Sequence, residues 1–156
     1  ADELENNLTV LFVEMVNKAG DCFSQTFTLS GPGKGNISDQ DEAGGLSGKL
    51  DFEKVKGLTP ASINVEAIRK QYEEAKAMIP ENYTFKSIGD YLIQETVPSG
   101  NEFLDRNKTF GEVKAEFSMN ITENGKEIVE SAGKKSVQYY EVTFNVLPDG
   151  SVQMEE

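Results

Sequence analysis

Two short stretches bring together residue types that bind phosphate or metal ions. Positions 31–35 read GPGKG, but a phosphate-binding loop continues with Gly-Lys-Ser/Thr into a helix, whereas glycine and asparagine follow the lysine here. Asp39, Asp41 and Glu42 could donate carboxylate oxygens to calcium, yet the further ligand and the glycine of a helix–loop–helix calcium site are missing. We interpret both stretches as parts of one exposed, glycine-rich loop over 30–48, and predict no metal site and no cofactor.

Catalytic chemistry has few candidates in this sequence. Histidine is absent, which excludes His-based catalytic triads and most zinc and copper sites. Cys22 is the single cysteine, so this sequence provides no internal disulfide framework. No residue stands out as a nucleophile, and no pair among the 27 acidic residues stands out as general acid and base. We therefore predict that the protein is not an enzyme.

The charge and length narrow the class of protein further. Lys and Arg total 15 against 27 Asp and Glu, which gives a net charge of −12. Nucleic-acid binding requires basic patches that contact phosphates, so this balance argues against it. No apolar run approaches the ~18 residues that a membrane-spanning helix needs. A length of 156 residues fits a single domain over residues 1–156.

Alternation of apolar and polar residues predicts that most of the chain is β-strand. The alternation is clearest over 113–122, where every second residue is apolar and would form one buried face. Turn signals separate several of these strands. Asn124-Gly125 indicates a tight hairpin turn, because this pair tolerates the positive φ that such a turn requires, and Pro-Asp-Gly at 148–150 is a second turn signal. The predicted strands are 26–29, 49–55, 91–96, 113–122, 127–129, 139–146 and 152–155.

One helix is predicted after Pro60, at about 62–79. Apolar residues recur there at spacings of three and four, and Ile79-Pro80 closes the segment. Residues 4–18 are ambiguous. Leu4, Leu8 and Leu11 fit a helical stripe, which would make a second helix at the N-terminus, whereas the β-branched residues favour a strand. An apolar strand at 8–16, or the C-terminal strand at 152–156, could also pair with a neighbouring subunit, so we consider strand-mediated self-assembly.

Five Asn-x-Ser/Thr triplets are candidate N-glycosylation sites, where composition alone gives roughly 1.4. This excess suits a secreted glycoprotein in a source that glycosylates asparagine. The candidate residues are Asn7, Asn36, Asn82, Asn107 and Asn120.

Four strand motifs follow one another in a recognisable order. They read FTL at 27–29, GKLDF at 48–52, GDYLIQETVPSG at 89–100 and TFN at 143–145. This succession, over about residues 10 to 146, resembles the Ig-like isopeptide domains of Gram-positive pilins and surface adhesins. The resemblance implies a mainly β fold, an Ig-like antiparallel β-sandwich, with the helix at about 62–79 inserted between two of its strands.

The resemblance also implies a self-made crosslink between a lysine amine and an asparagine carboxamide, assisted by an acid. Glu95 matches the position of the acid and Asn145 that of the acceptor. The family's donor lysine lies on the first strand, but positions 11–16 contain no lysine, so Lys18 is the nearest candidate. The amine must be neutral to attack, which requires that burial among apolar side chains lower its pKa.

These expectations define a non-catalytic structural or adhesive module, located outside the cell or on its surface. Its partners would be other protein subunits or a host surface ligand. The alternative is a secreted, N-glycosylated β-rich protein that carries or binds a small apolar ligand in a β-barrel or under the helix.

Overall fold

The computed structural model describes residues 8–42, 49–99 and 101–155. The chain divides into two compact units. Unit 1 comprises Ala1–Gly57 and Glu95–Glu112, and unit 2 comprises Leu58–Gln94 and Val113–Glu156. The prediction of a single domain over 1–156 stays a prediction.

Unit 1 contains a three-stranded antiparallel sheet. Its strands are β1 (Val10–Val16), β2 (Cys22–Thr28) and β3 (Asp41–Glu42), in the order β1-β2-β3. All seven residues of β1 pair with β2, from Val10 opposite Thr28 to Val16 opposite Cys22. Of the two alternatives left open for the ambiguous segment 4–18, the strand is the one formed over residues 10–16, because cross-strand pairing with β2 overrides the helical spacing of the leucines. Residues 1–7 lie outside the described residues.

The rest of unit 1 has little regular structure. The strand predicted at 49–55 is wrong, since Phe52–Lys54 forms a 3₁₀ turn that is capped by the Asp51 carboxylate, which accepts from Glu53 N–H. A short helix that the sequence analysis did not predict, α2, spans Glu102–Asp105 and is capped by the Asn101 side chain. Within the predicted loop 30–48, Ile37 bridges to Phe27 and β3 pairs with β2, while residues 43–48 lie outside the described residues.

Unit 2 packs one helix beside a four-stranded sheet. The helix, α1 (Val65–Met78), confirms the predicted inserted helix, and the Asn64 side chain caps its first turn by accepting from Ala67 N–H. The sheet has the order β4-β5-β8-β9. Its strands are β4 (Tyr83–Glu95, whose last residue belongs to unit 1), β5 (Val113–Glu123), β8 (Tyr140–Val146) and β9 (Val152–Met154).

The core of unit 2 lies where α1 meets this sheet. Phe117 on β5 and Phe144 on β8 are fully buried and stack with ring centroids 5.3 Å apart. Tyr72 from α1 contacts Phe117 edge-on, and Ala75 of the same helix is fully buried. The alternating apolar face predicted for 113–122 therefore supplies the core, because every second side chain of a strand points to the same face.

The connection between β5 and β8 is a separate hairpin, formed by β6 (Ile128–Ser131) and β7 (Lys134–Val137). A turn forms at the predicted position 123–125, where both Asn124 and Gly125 have positive φ and Lys126 N–H donates to the Glu123 carbonyl. The predicted hairpin is wrong, because among the described residues β5 pairs with β4 and β8 and not with β6. The second predicted turn, at 148–150, joins β8 to β9 and is closed by Gly150 N–H donating to the Leu147 carbonyl.

The predicted fold class is confirmed in its main features. Within the described ranges the chain is mainly β, its sheets are antiparallel, and it contains few helices. The C-terminal strand predicted at 152–155 is β9, and it pairs with β8 of its own chain.

Candidate functional site

Glu95, the predicted acid, ends β4 and holds a neighbouring segment of unit 1 in place. Its two carboxylate oxygens accept hydrogen bonds from the backbone N–H groups of Lys56 (2.8 Å) and Gly57 (2.7 Å). Gly57 has φ +76°, a backbone conformation that glycine adopts at no steric cost and that turns its N–H toward the carboxylate. Both carboxylate oxygens of Glu95 therefore hold the backbone at residues 56–57 in place.

Asn145, the predicted acceptor, lies on β8 in unit 2. Glu116 on β5 and Gln153 on β9 are its cross-strand neighbours. The side-chain amide of Asn145 donates to the Glu155 carboxylate at 2.7 Å. The Asn145 amide is thus engaged with a residue that directly follows β9.

Lys18, the candidate donor, lies in the turn that follows β1 and is exposed to solvent. The position of Lys18 therefore lacks the burial that would make its amine a nucleophile.

We expect the intact mass under denaturing conditions to equal the mass calculated from the sequence. The reason is that Lys18 is exposed, while Glu95 and Asn145 are held by other partners. The Asn145→Ala variant is the control, because it removes the acceptor and fixes the mass of an uncrosslinked chain. A wild-type mass lower by one ammonia than calculated would contradict this expectation and establish the crosslink.

The candidate glycosylation residues differ in how accessible they are. Asn36, Asn82 and Asn107 are exposed. Asn120 is half-buried on β5, and its side-chain amide donates to the Ser87 hydroxyl at 3.0 Å. Asn7 lies outside the described residues. Glycosylation stays a prediction, which the exposed positions fit better than Asn120.

A second carboxylate that the sequence analysis missed, Asp105, organises the loop around α2. It accepts from the Ser99 backbone N–H (2.9 and 3.1 Å) and from the Ser99 hydroxyl (2.8 Å), and its carboxylate lies 3.6 Å from Lys108 Nζ. Burial opposes ionisation, but the hydrogen bonds from Ser99 and the Lys108 charge outweigh it and hold the pKa of Asp105 below its ordinary 3.8.

Acidification should loosen the Ser99–Asp105 contact. Because the pKa of Asp105 is lower in the folded chain, its contribution to stability is present above about pH 4 and is lost as the pH falls through the folded value. We expect Asp105→Asn to destabilise the protein at about pH 6 and to cost progressively less from about pH 4 downward. Urea unfolding of both proteins across this range measures the difference, and a constant difference would contradict the expectation.

An open groove of about 300 Å³, lined mainly by polar residues, lies in unit 2 between α1 and the turn that joins β8 to β9. Two of its carboxylates are engaged with backbone, since Glu74 accepts from Val152 N–H and Asp149 accepts from Ser151 N–H. The groove differs from the apolar site that a carrier of apolar ligands needs. It is lined by Ala67, Lys70, Gln71, Glu74, Asp149, Gly150 and Ser151.

The most distinctive surface of unit 1 is the outer edge of β1. Leu29 N–H donates to the Thr9 carbonyl and Asn17 N–H to the Asp21 carbonyl, so odd-numbered residues of this segment direct their backbone groups toward β2. Bonding alternates along an antiparallel ladder, and the even-numbered residues therefore direct their N–H and C=O groups to the other edge. Among the described residues no strand pairs with that edge.

Large apolar side chains are exposed beside this edge, on both faces of β1. The exposed fraction is 59% for Phe12, 48% for Val10 and 40% for Leu11, and Leu8 directly before the strand is 60% exposed. Consecutive residues of a strand point to opposite faces, so both faces of this part of β1 expose apolar side chains to solvent. We call the outward backbone groups of Val10–Val16, with these side chains, the β1 edge. It corresponds to the apolar 8–16 segment considered for self-assembly.

In the described ranges no three His, Cys, Asp or Glu side chains are grouped so as to hold a metal ion. None of the helices in the same ranges is both long enough and apolar enough to cross a membrane.

No protein-family model, curated protein or solved structure matches the chain.

Proposed function

We propose that the protein is a non-catalytic structural or adhesive module, located outside the cell or on its surface, that joins other protein chains through the β1 edge. One observation carries this proposal. On β1, backbone N–H and C=O groups to which no described strand bonds lie beside exposed apolar side chains. Other protein subunits and a host surface protein are the two classes of partner.

The composition of β1 supports a binding role for this edge. Edge strands are usually protected from pairing by lysine, proline, bulges or short length. β1 is seven residues long, reads VLFVEMV, and carries one charge, at Glu14. A partner strand added to it would gain main-chain hydrogen bonds, and the exposed side chains would supply specificity.

The polar side chains of the candidate crosslink support a structural role. Glu95 and Asn145 hold backbone and strand neighbours, and Asp105 fixes the loop around α2. Polar side chains that hold neighbouring segments in place suit a module whose task is mechanical.

The location can be tested on intact cells of the source. A membrane-impermeant amine-reactive biotin reagent should label the chain before lysis, because exposed lysines such as Lys18 would face the medium. A cytoplasmic protein probed on the same cells is the control. A chain that becomes labelled only after lysis would overturn the extracellular part of the proposal.

The β1 edge can be tested in the same cells with a photo-crosslinking amino acid. We expect it to trap a protein partner when it replaces Phe12, and not when it replaces Phe103, a phenylalanine of α2 in unit 1 that is 73% exposed. Equal crosslinking at both positions, or none at position 12, would overturn the role of the β1 edge.

A further inference from the structure

We propose that the partner of the β1 edge is a second copy of this chain, whose β1 pairs antiparallel with the first about a two-fold axis at Val13. This inference rests on the proposed function, since it assigns an occupant to the same edge. It would join two three-stranded sheets into one continuous sheet of six strands.

The backbone groups of β1 fit this register. A two-fold axis at Val13 places Val10 opposite Val16 of the second copy and Phe12 opposite Glu14. All four of these residues direct their N–H and C=O groups outward, so each facing pair exchanges hydrogen bonds. With the axis at Val13, all seven residues of β1 pair with the second copy, whereas an axis at any other residue would leave some of them unpaired.

The side chains of β1 are also complementary to themselves in this register. Leu11 faces Met15 of the second copy, and the two Val13 side chains face each other across the axis, so one face consists of apolar pairs. The single charge of the strand, Glu14, lies opposite Phe12. An axis at Glu14 would instead place the two carboxylates opposite each other, where like charges repel.

The net charge sets the salt dependence of this pairing. Each copy carries −12, so two copies repel at long range, and added salt screens that repulsion. Dimerisation should therefore strengthen as the ionic strength rises, whereas binding of a basic partner would weaken.

Sedimentation velocity over a range of concentrations tests the second copy. We expect wild-type protein to dimerise, and Phe12→Glu to weaken dimerisation about tenfold or more, because it sets a carboxylate opposite Glu14 at two symmetric positions. The double variant Phe12→Glu/Glu14→Lys should restore it, since each glutamate then faces a lysine. Both residues are exposed, and far-ultraviolet circular dichroism checks that the variants fold.

A cysteine placed at Val13 tests the register directly. In a non-hydrogen-bonded antiparallel pair the two Cα atoms lie about 4.5 Å apart, which suits a disulfide. In a Cys22→Ser background, Val13→Cys should form a disulfide-linked dimer on mild oxidation, and Phe12→Cys should do so far more slowly. Equal rates for the two variants would overturn the register.

The outcomes separate this inference from the proposed function. A wild-type protein that stays monomeric at every concentration and salt level, with no disulfide-linked Val13→Cys dimer, overturns the second copy. In that case a different protein trapped at position 12 in cells would still support the proposed function. Conversely, dimerisation with an intracellular location would uphold the second copy and overturn the extracellular part of the proposed function.

Discussion

Replacing Phe117 by alanine is expected to lower the free energy of unfolding by about 3–5 kcal/mol. Phe117 is 1% exposed, and its ring contacts three other rings, those of Tyr72 (4.8 Å between centroids), Phe144 (5.3 Å) and Tyr91 (5.6 Å). Alanine would remove the ring on which the other three pack and leave a cavity that the surrounding strands can fill only in part. The loss therefore combines buried apolar area, aromatic contacts and the cavity.

Urea unfolding followed by circular dichroism measures this loss. Phe103→Ala is the matched control, because Phe103 is 73% exposed and its ring contacts Arg106, so its replacement should cost less than about 1 kcal/mol. A cost of Phe117→Ala no larger than that of the control would mean that the core of unit 2 lies elsewhere.

The core strand β5 and the inserted helix α1 could be predicted because the apolar residues of each recur at the spacing typical of its secondary structure. The apolar residues of β5 recur at every second position, and those of α1 recur at three and four. Burial of one face is enough to select such an element, so no knowledge of its neighbours is needed. The turn at Asn124-Gly125 follows from local chemistry in the same way.

The N-terminal segment could not be assigned from its own residues. Leucines at helical spacing and β-branched residues conflict there, and the decision comes from β2, which pairs with every residue of β1. The strand predicted at 49–55 is wrong for a related reason. Asp51 caps a 3₁₀ turn locally, and no neighbouring strand pairs with Phe52–Lys54 among the described residues.

The candidate site depends still more on distant contacts. The partners of the Glu95 carboxylate are the N–H groups of Lys56 and Gly57, 39 and 38 residues away in the chain. A strand motif contains no information on such partners. The apolar character of β1 was visible in the sequence, but its free edge follows from the order of the strands. Backbone hydrogen bonds then identify the outward-facing residues.

Replacing Gly20 by alanine should lower the free energy of unfolding by about 2–4 kcal/mol. This loss arises from the backbone rather than from the core. Gly20 closes the turn between β1 and β2 with φ +86°, and its carbonyl accepts from Leu50 N–H at 2.9 Å. A Cβ atom there would lie 2.2 Å from the Leu50 carbonyl oxygen, which belongs to the backbone and cannot rotate away. Left-handed strain of about 1–2 kcal/mol adds to this overlap.

Gly31→Ala separates the two contributions. Gly31 has φ +77°, but no atom lies within 4 Å of the position of its Cβ, so alanine there incurs the conformational strain alone. We therefore expect Gly20→Ala to cost more than Gly31→Ala in urea unfolding, and equal costs would contradict the overlap with Leu50.

Gly20→Ala also tests whether residues 1–156 form a single domain. Gly20 belongs to unit 1 and Phe117 to unit 2. If the chain unfolds as one cooperative domain, both substitutions lower the midpoint of the same transition, because every part of the chain then shares one free energy of unfolding. Two transitions, one lowered by Gly20→Ala and the other by Phe117→Ala, would show instead that the units unfold separately. Calorimetry of the two variants and the wild type distinguishes these results.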